Sequence, residues 1–290
     1  MALAYEPLTR AYFTSLDFKS HAHYAELLLR DLTEMFGVCH VSVIETSYRL
    51  ALSYRELGWT DREREILEAA LESLECTDSV SAKLVMDVKT NLGVLLRKQG
   101  EGQPACAMLE EALRAAEEYF GRESKGVIEP LHLYGDCLAT VGDLEKAAAV
   151  FQHLIELSSA KLGRLDANTL DYRRIWGNLL MHQGKPEEAA KVLVRTLEDA
   201  EITFATDSLE LVEYLSQYGW SLLMQFKVSE AAPHLERSWR LAHLGYPPNN
   251  PRLLKPLQGL TRLRQMQGNE EEVRRLQELA SSIANRDSTD

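Results

Sequence analysis

A glycine returns every 42 residues along this chain. Gly58, Gly100, Gly142, Gly184 and Gly268 share one register, and Phe226 stands in the single slot that glycine leaves. A second column lies seven residues earlier, at Gly93, Gly135, Gly177 and Gly219. Glycine supplies about 7% of an average sequence, so two columns in one register are not chance. A period of this length implies stacked copies of one supersecondary unit, which removes the size limit of a single core.

The apolar residues around each hinge glycine have helical spacing, and no strand-like alternation persists. Eight and four residues before the hinge stand Leu92 and Leu96, Tyr134 and Leu138, Trp176 and Leu180, Tyr218 and Leu222. The second-column glycine lies between the members of each pair, where a missing side chain lets another helix approach closely. Five residues past the hinge come Ala105, Ala147, Ala189 and Ala231, and nine past it Leu67, Leu109, Phe151, Leu193 and Leu235. Each unit therefore reads as two helices that meet through small and large residues. Thr60-Asp61, Asp143 and a capping box at Asp207-Ser208-Leu209-Glu210 mark expected helix starts.

This set of positions resembles the tetratricopeptide repeat, and the 42-residue period resembles the kinesin-light-chain form with its longer helices. Phe120-Gly121, Leu162-Gly163 and the segment from Leu244 to Pro251 are similar to that form's turns between repeats. The resemblance spans about residues 42–284. It implies an all-α fold, a right-handed superhelix of about six to seven antiparallel helix pairs whose concave groove takes proteins or peptides. Residues 1–41 keep the register in part, with Leu16 at the hinge position, and read as a degenerate capping repeat. Residues 42–268 form the repeat array, and 269–290 a polar capping helix and tail.

A further stripe on the first helix of each pair would line that groove. Thirteen residues before the hinge it carries Glu45, Asp87, Glu129, Asp171 and Glu213, then Lys255. Such a column can guide a basic or mixed-charge segment of a partner, or it can be a set of first-turn acids stabilised by the helix dipole. Asn91, His132, Asp136, Arg174, Asn178, Gln217 and Trp220 share the face, and Arg174 and Trp220 are of the types that anchor interfaces. Arg174, Asn178, Gln217 and Lys255 also resemble four of the five positions of the carboxylate clamp of some tetratricopeptide proteins. Gln217 replaces an asparagine, and Gly259 stands where that clamp needs a base. Asp171 and Glu213 would repel an acidic ligand.

Nothing in the chain points to catalysis. GxSxG, HExxH, a phosphate loop and an EF-hand loop are all missing, and His132 with Asp136 or Asp171 is the one candidate acid–base pair. No cofactor is implied. His21, His23, Cys39 and His40 could ligate a metal, but two histidines at i and i+2 on a helix point apart. Cys39, Cys76, Cys106 and Cys137 lack CxxC spacing and read as reduced, small hydrophobes in a cytoplasmic protein. A net charge of −12 argues against nucleic acid and anionic membranes as partners. The N-terminus has no basic-then-apolar signal pattern, and no apolar run approaches the roughly 20 residues of a membrane span. The expected function is a protein- or peptide-binding scaffold or adaptor. The contrasting expectation is a regulatory receptor whose superhelix changes pitch on binding a peptide or small ligand.

Overall fold

The computed structural model describes residues 2–77 and 80–286. It contains fourteen α-helices and, among the described residues, no strand. None of these helices is long and apolar enough to cross a membrane. The chain divides into two compact units, residues 1–143 and 144–290. The first unit holds α1 (Ala2–Thr14), α2 (Phe18–Phe36), α3 (Val41–Glu56), α4 (Thr60–Glu75), α5 (Ala82–Lys98), α6 (Gly102–Phe120) and α7 (Ile128–Thr140). The second holds α8 (Leu144–Lys161), α9 (Ala167–His182), α10 (Pro186–Thr203), α11 (Leu211–Met224), α12 (Val228–Gly245), α13 (Leu254–Met266) and α14 (Glu270–Arg286).

The glycine column is a column of left-handed residues. Gly58, Gly100, Gly142, Gly184 and Gly268 have φ between 71 and 84°. Leu16 and Phe226 adopt the same conformation at 62 and 59°, although each has a side chain to accommodate. At every one of these positions the hinge N–H donates to the carbonyl three residues back, and the next N–H donates to the carbonyl five back. In the third pair these bonds are Gly100 to Arg97 at 3.1 Å and Glu101 to Leu96 at 2.9 Å. At Phe226 they run to Leu223 and from Lys227 to Leu222, both 3.0 Å. This is the Schellman closure, which satisfies the last carbonyls of a helix and turns the chain sharply. Residues 1–41 follow the same rule, because Leu16 N donates to Phe13 at 3.2 Å and Asp17 N to Tyr12 at 3.1 Å. They form a helix pair, α1 with α2.

The second glycine column is a set of sockets. A Cβ on Gly93 would lie 2.8 Å from Leu109 Cγ, on Gly177 2.6 Å from Leu193 Cγ, and on Gly219 2.6 Å from Leu235 Cγ. Each glycine thus receives the leucine nine residues past its own hinge, so one repeat position is the hole for another. Ala105, Ala189 and Ala231 are fully buried beside these leucines.

Two expectations change, the capping box and the reduced cysteines. The segment Asp207–Glu210 is not a capping box: α11 begins only at Leu211, and the Ser208 hydroxyl bonds the Glu210 carboxylate ahead of the helix. That bond is the main reason the Glu210 carboxyl is held below its ordinary range. Thr60 does open α4, but Trp59 occupies the cap position without a side-chain hydrogen bond. The cysteines are not free: Cys39 is bonded to Cys76 and Cys106 to Cys137, each with Cα atoms 5.5 Å apart. Sequence separations of 37 and 31 residues form no motif, yet stacking brings both pairs within bonding reach. A cross-link over a loop of this length contributes about 2–4 kcal/mol. Of the expected C-terminal cap and tail, α14 reaches Arg286, and residues 287–290 lie outside the described residues.

The hinge and the socket respond oppositely to substitution. Phe226 is 81% exposed, so Phe226→Gly loses little burial and relieves a left-handed side-chain residue. It is expected to raise stability by up to about 1 kcal/mol, the left-handed cost less the backbone entropy of glycine. Gly177→Ala drives a methyl into Leu193 and is expected to lower stability by about 1–3 kcal/mol. Urea denaturation of both variants against the unsubstituted protein measures both signs.

Candidate binding clefts

In the first unit, a cleft of about 560 Å³ lies between α5 and α7. Asp87 and Asn91 from α5 and Glu129 from α7 line it, with Phe120, Pro130 and Leu133 as apolar wall. The Phe120 ring lies directly against Gly126, where a Cβ would sit 2.5 Å from its Cγ. Three of the expected groove residues therefore share one concavity. Their charges differ in availability. Asp87 accepts from Lys83 at 2.7 Å, one turn earlier on the same helix, and Asn91 Nδ2 donates to the Asp87 carbonyl at 2.6 Å. Glu129 has no ion pair among the described residues, and it stands in the first turn of α7. Arg55 at the rim is held by the buried Glu63 at 2.7 Å.

A second cleft of the first unit, of about 330 Å³, lies among α1, α2 and α3. Phe36, Ser42, Glu45, Thr46 and Arg49 line it, each 84 residues before Phe120, Gly126, Glu129, Pro130 and Leu133. The two clefts are the same feature two repeats apart. His21 closes the floor of the smaller one, with Nδ1 2.6 Å from the Ser53 hydroxyl. Burial first, and then the Arg49 charge, hold its pKa below the usual imidazole value. His23 packs edge-on against Tyr24, while His40 caps α3 and stacks on Phe36 with ring centroids 4.5 Å apart. The aromatic residue that ends the second helix was the missed signal. Phe36, Phe120, Phe204 and Tyr246 keep the 42-residue register, apart from the slot at Asp78 and a leucine at 162.

Also in this unit, His132 and Asp136 lie half-buried on α7, and Asp136 is ion-paired with Arg97 of α5.

In the second unit the expected groove residues form a closed network. Arg174 Nε lies 2.8 Å from Asp171, and its Nη1 lies 3.9 Å from Glu213. Lys255 reaches the same Glu213 carboxylate at 2.5 Å. Gln217 is only 4% exposed, and with its amide turned so that both ends find partners it donates to the Arg174 carbonyl at 3.0 Å and accepts from Nη1 at 2.8 Å. Arg174 also stands 6.0 Å over the Tyr214 ring. Burial, and then the Asp171 charge, push that phenol well above its ordinary range. Asn178 is half-buried one turn beyond Arg174. Gly259 is buried, and a Cβ there would meet Leu235 at 2.9 Å, which leaves the fifth clamp position no room for a basic side chain. Trp220 and Met224, 38% and 40% exposed, form an apolar strip one turn long on α11.

The helix dipole does not account for the acidic column. Only Glu129 and Glu213 stand in first turns, whereas Glu45, Asp87 and Asp171 lie in the second turns of α3, α5 and α9. The contrast between the units is measurable. Arg174→Met strips Asp171 and Gln217 of their partner and is expected to cost about 1–3 kcal/mol. Glu129→Gln breaks no pair and is expected to stay within about 0.5 kcal/mol. Equilibrium denaturation of the two variants reads the difference.

Tetratricopeptide-repeat family models match residues 84–160 and 44–73. No curated protein sequence matches the chain significantly. The crystal structure of BtubC (BKLC) from P. vanneervenii is similar over 79% of this chain and 92% of its own, with TM-score 0.61 and 18% identity. A putative kinesin light chain from P. anserina, with nearly identical TPR-like repeats, is similar over 72% and 99%, with TM-score 0.62 and 15% identity. YrrB, a TPR protein with an unusual peptide-binding site, is similar over 69% and 87%, with TM-score 0.51 and 16% identity. At these identities the likeness establishes the fold. Family models, structural neighbours, hinge geometry and socket packing agree: residues 44–73 and 84–160 are tetratricopeptide repeats, and the fold is that of tetratricopeptide-repeat proteins.

Proposed function

We propose that this protein is a non-catalytic scaffold that binds a basic or mixed-charge segment of a protein partner, chiefly through the α5–α7 cleft. The observation that carries this reading is the unpaired Glu129 carboxylate beside an apolar wall of Phe120, Pro130 and Leu133. A lysine or arginine side chain suits such a place, with its stem against the apolar wall and its head at the carboxylate. Asp87 and Asn91 add a second acceptor and an amide, and Glu45 repeats the acid in the smaller cleft. The Lys83–Asp87 pair favours mixed charge over a purely basic run. Peptide binding by the structurally similar YrrB is in keeping with this use of the fold. The net charge of −12 supports a basic partner segment over nucleic acid.

The second unit contributes less charge to such a site. Asp171, Arg174, Glu213, Gln217 and Lys255 satisfy one another. A C-terminal carboxylate ligand would have to displace Asp171 from Arg174 and would find no base at Gly259. Trp220 with Met224 is the surface of this unit with most to offer an apolar side chain.

Fluorescence anisotropy with a panel of labelled basic, mixed and acidic peptides tests the reading. Basic and mixed peptides should bind with affinity that falls as salt rises. Glu129→Gln and Asp87→Asn should each weaken binding by up to about fivefold, the range of a rim charge pair. Preferential binding of acidic or carboxylate-terminated peptides, or indifference to both substitutions, overturns it.

A further inference from the structure

All four cysteines lie in the first unit, and the two bonds they make differ in place and access. Cys106 and Cys137 join α6 to α7 inside the packed core, 6% and 0% exposed. Cys39 and Cys76 join two surface turns instead. Cys39 lies in the short link between α2 and α3, and Cys76 is the residue that ends α4, exposed to solvent. We propose that Cys39–Cys76 is a reversible thiol–disulfide exchange site that controls the smaller cleft, while Cys106–Cys137 is a permanent structural bond.

The two bonds differ in access and in what they restrain. Exchange needs a thiolate to reach a sulfur of the disulfide, so rates depend on exposure. The link from Gly37 to His40 is four residues long, and its one internal hydrogen bond runs from His40 N to the Gly37 carbonyl at 3.3 Å. Within and beside it stand the groups that shape the cleft. Phe36, Ser42 and Glu45 line that cleft, and His40 both stacks on Phe36 and caps α3 through the Ser42 N–H. The Cys39 bond anchors this link to the end of α4. When it is cut, the link keeps the Phe36–His40 stack and one cap, and it gains the freedom that the cross-link removed.

The chemistry balances with an external dithiol as reductant. Its first thiolate attacks the sulfur of the exposed residue Cys76, forms a mixed disulfide and expels the Cys39 thiolate. Its second thiol then attacks its own sulfur in the mixed disulfide and releases Cys76. Two electrons pass to the protein, the reductant becomes a disulfide, and the two protons lost by the dithiol are returned to the cysteine thiolates to the extent that the pH sets. Re-oxidation by a disulfide of the same class reverses each step. This switch does not depend on the peptide-binding reading, since its readouts are thiol chemistry and backbone exchange in the protein alone.

The test is native-state alkylation with mass spectrometry across a dithiothreitol titration of the oxidised full chain, followed by hydrogen–deuterium exchange with and without reductant. Cys39 and Cys76 should become alkylated together, at least tenfold faster than Cys106 and Cys137. Amides from 37 to 43 should then exchange at least tenfold faster, with residues 167–224 unchanged. Cys39→Ser with Cys76→Ser should reproduce the reduced pattern and ignore dithiothreitol. If that variant does not fold, the unsubstituted protein with and without reductant gives the same comparison. Equal alkylation of all four cysteines, prior alkylation of Cys106 and Cys137, no alkylation short of denaturation, or unchanged exchange at 37–43 would each overturn the proposal.

Discussion

Everything in this chain follows from a left-handed residue placed every 42 positions. The residue stops one helix, satisfies its last carbonyls through two backward hydrogen bonds, and sends the chain into the next helix at a set angle. Because the angle repeats, any position counted from the hinge faces the same way in each pair. The leucine nine residues past the hinge then meets the glycine seven before it, so local geometry and packing enforce one register. Two agreeing constraints of this kind tolerate an exception in either. Leu16 and Phe226 hold the hinge conformation without glycine, each closed by the same two backward hydrogen bonds as the glycine hinges.

The same register decides which charges are left over for a partner. Five acids stand at one offset, but the helix of the next or the same pair supplies different neighbours. Lys83 reaches Asp87, Arg174 reaches Asp171, and Lys255 reaches Glu213, whereas Glu45 and Glu129 meet no cation in an ion pair among the described residues. The available acids therefore fall in the first unit, each beside an aromatic residue that ends a helix. In the second unit, arginine, amide and carboxylates close on themselves and hold consecutive first helices together.

The sequence was legible where a residue has one reason to be there. Hinge and socket glycines, the alanines and the large apolar residues could be placed by counting, and Leu16 was identified in the right slot. Legibility ended where a partner comes from another repeat. Asp171 could be assigned to the inner face, but its bond to Arg174 and the burial of Gln217 depend on how α9 and α11 pack. The cysteines were misread for the same reason: separations of 37 and 31 residues become adjacency only once the stack exists. The apparent capping box failed because Ser208 found the Glu210 carboxylate itself, so the two capped each other instead of the helix. The aromatic wall of each cleft is present in the periodicity, but in the sequence alone Phe36-Gly37 and Phe120-Gly121 mark only the turns between pairs.

Proposed binding thus falls on the first unit, at the face that carries Asp87 and Glu129, while the equivalent residues of the second unit pair with one another. Hydrogen–deuterium exchange footprinting of the full chain with a bound basic peptide tests this most directly. The account predicts slowed exchange in residues 86–94 and 120–133, and none across 171–178 or 213–217. Slowed exchange confined to those second-unit segments, or to the second helices of the pairs alone, would contradict it.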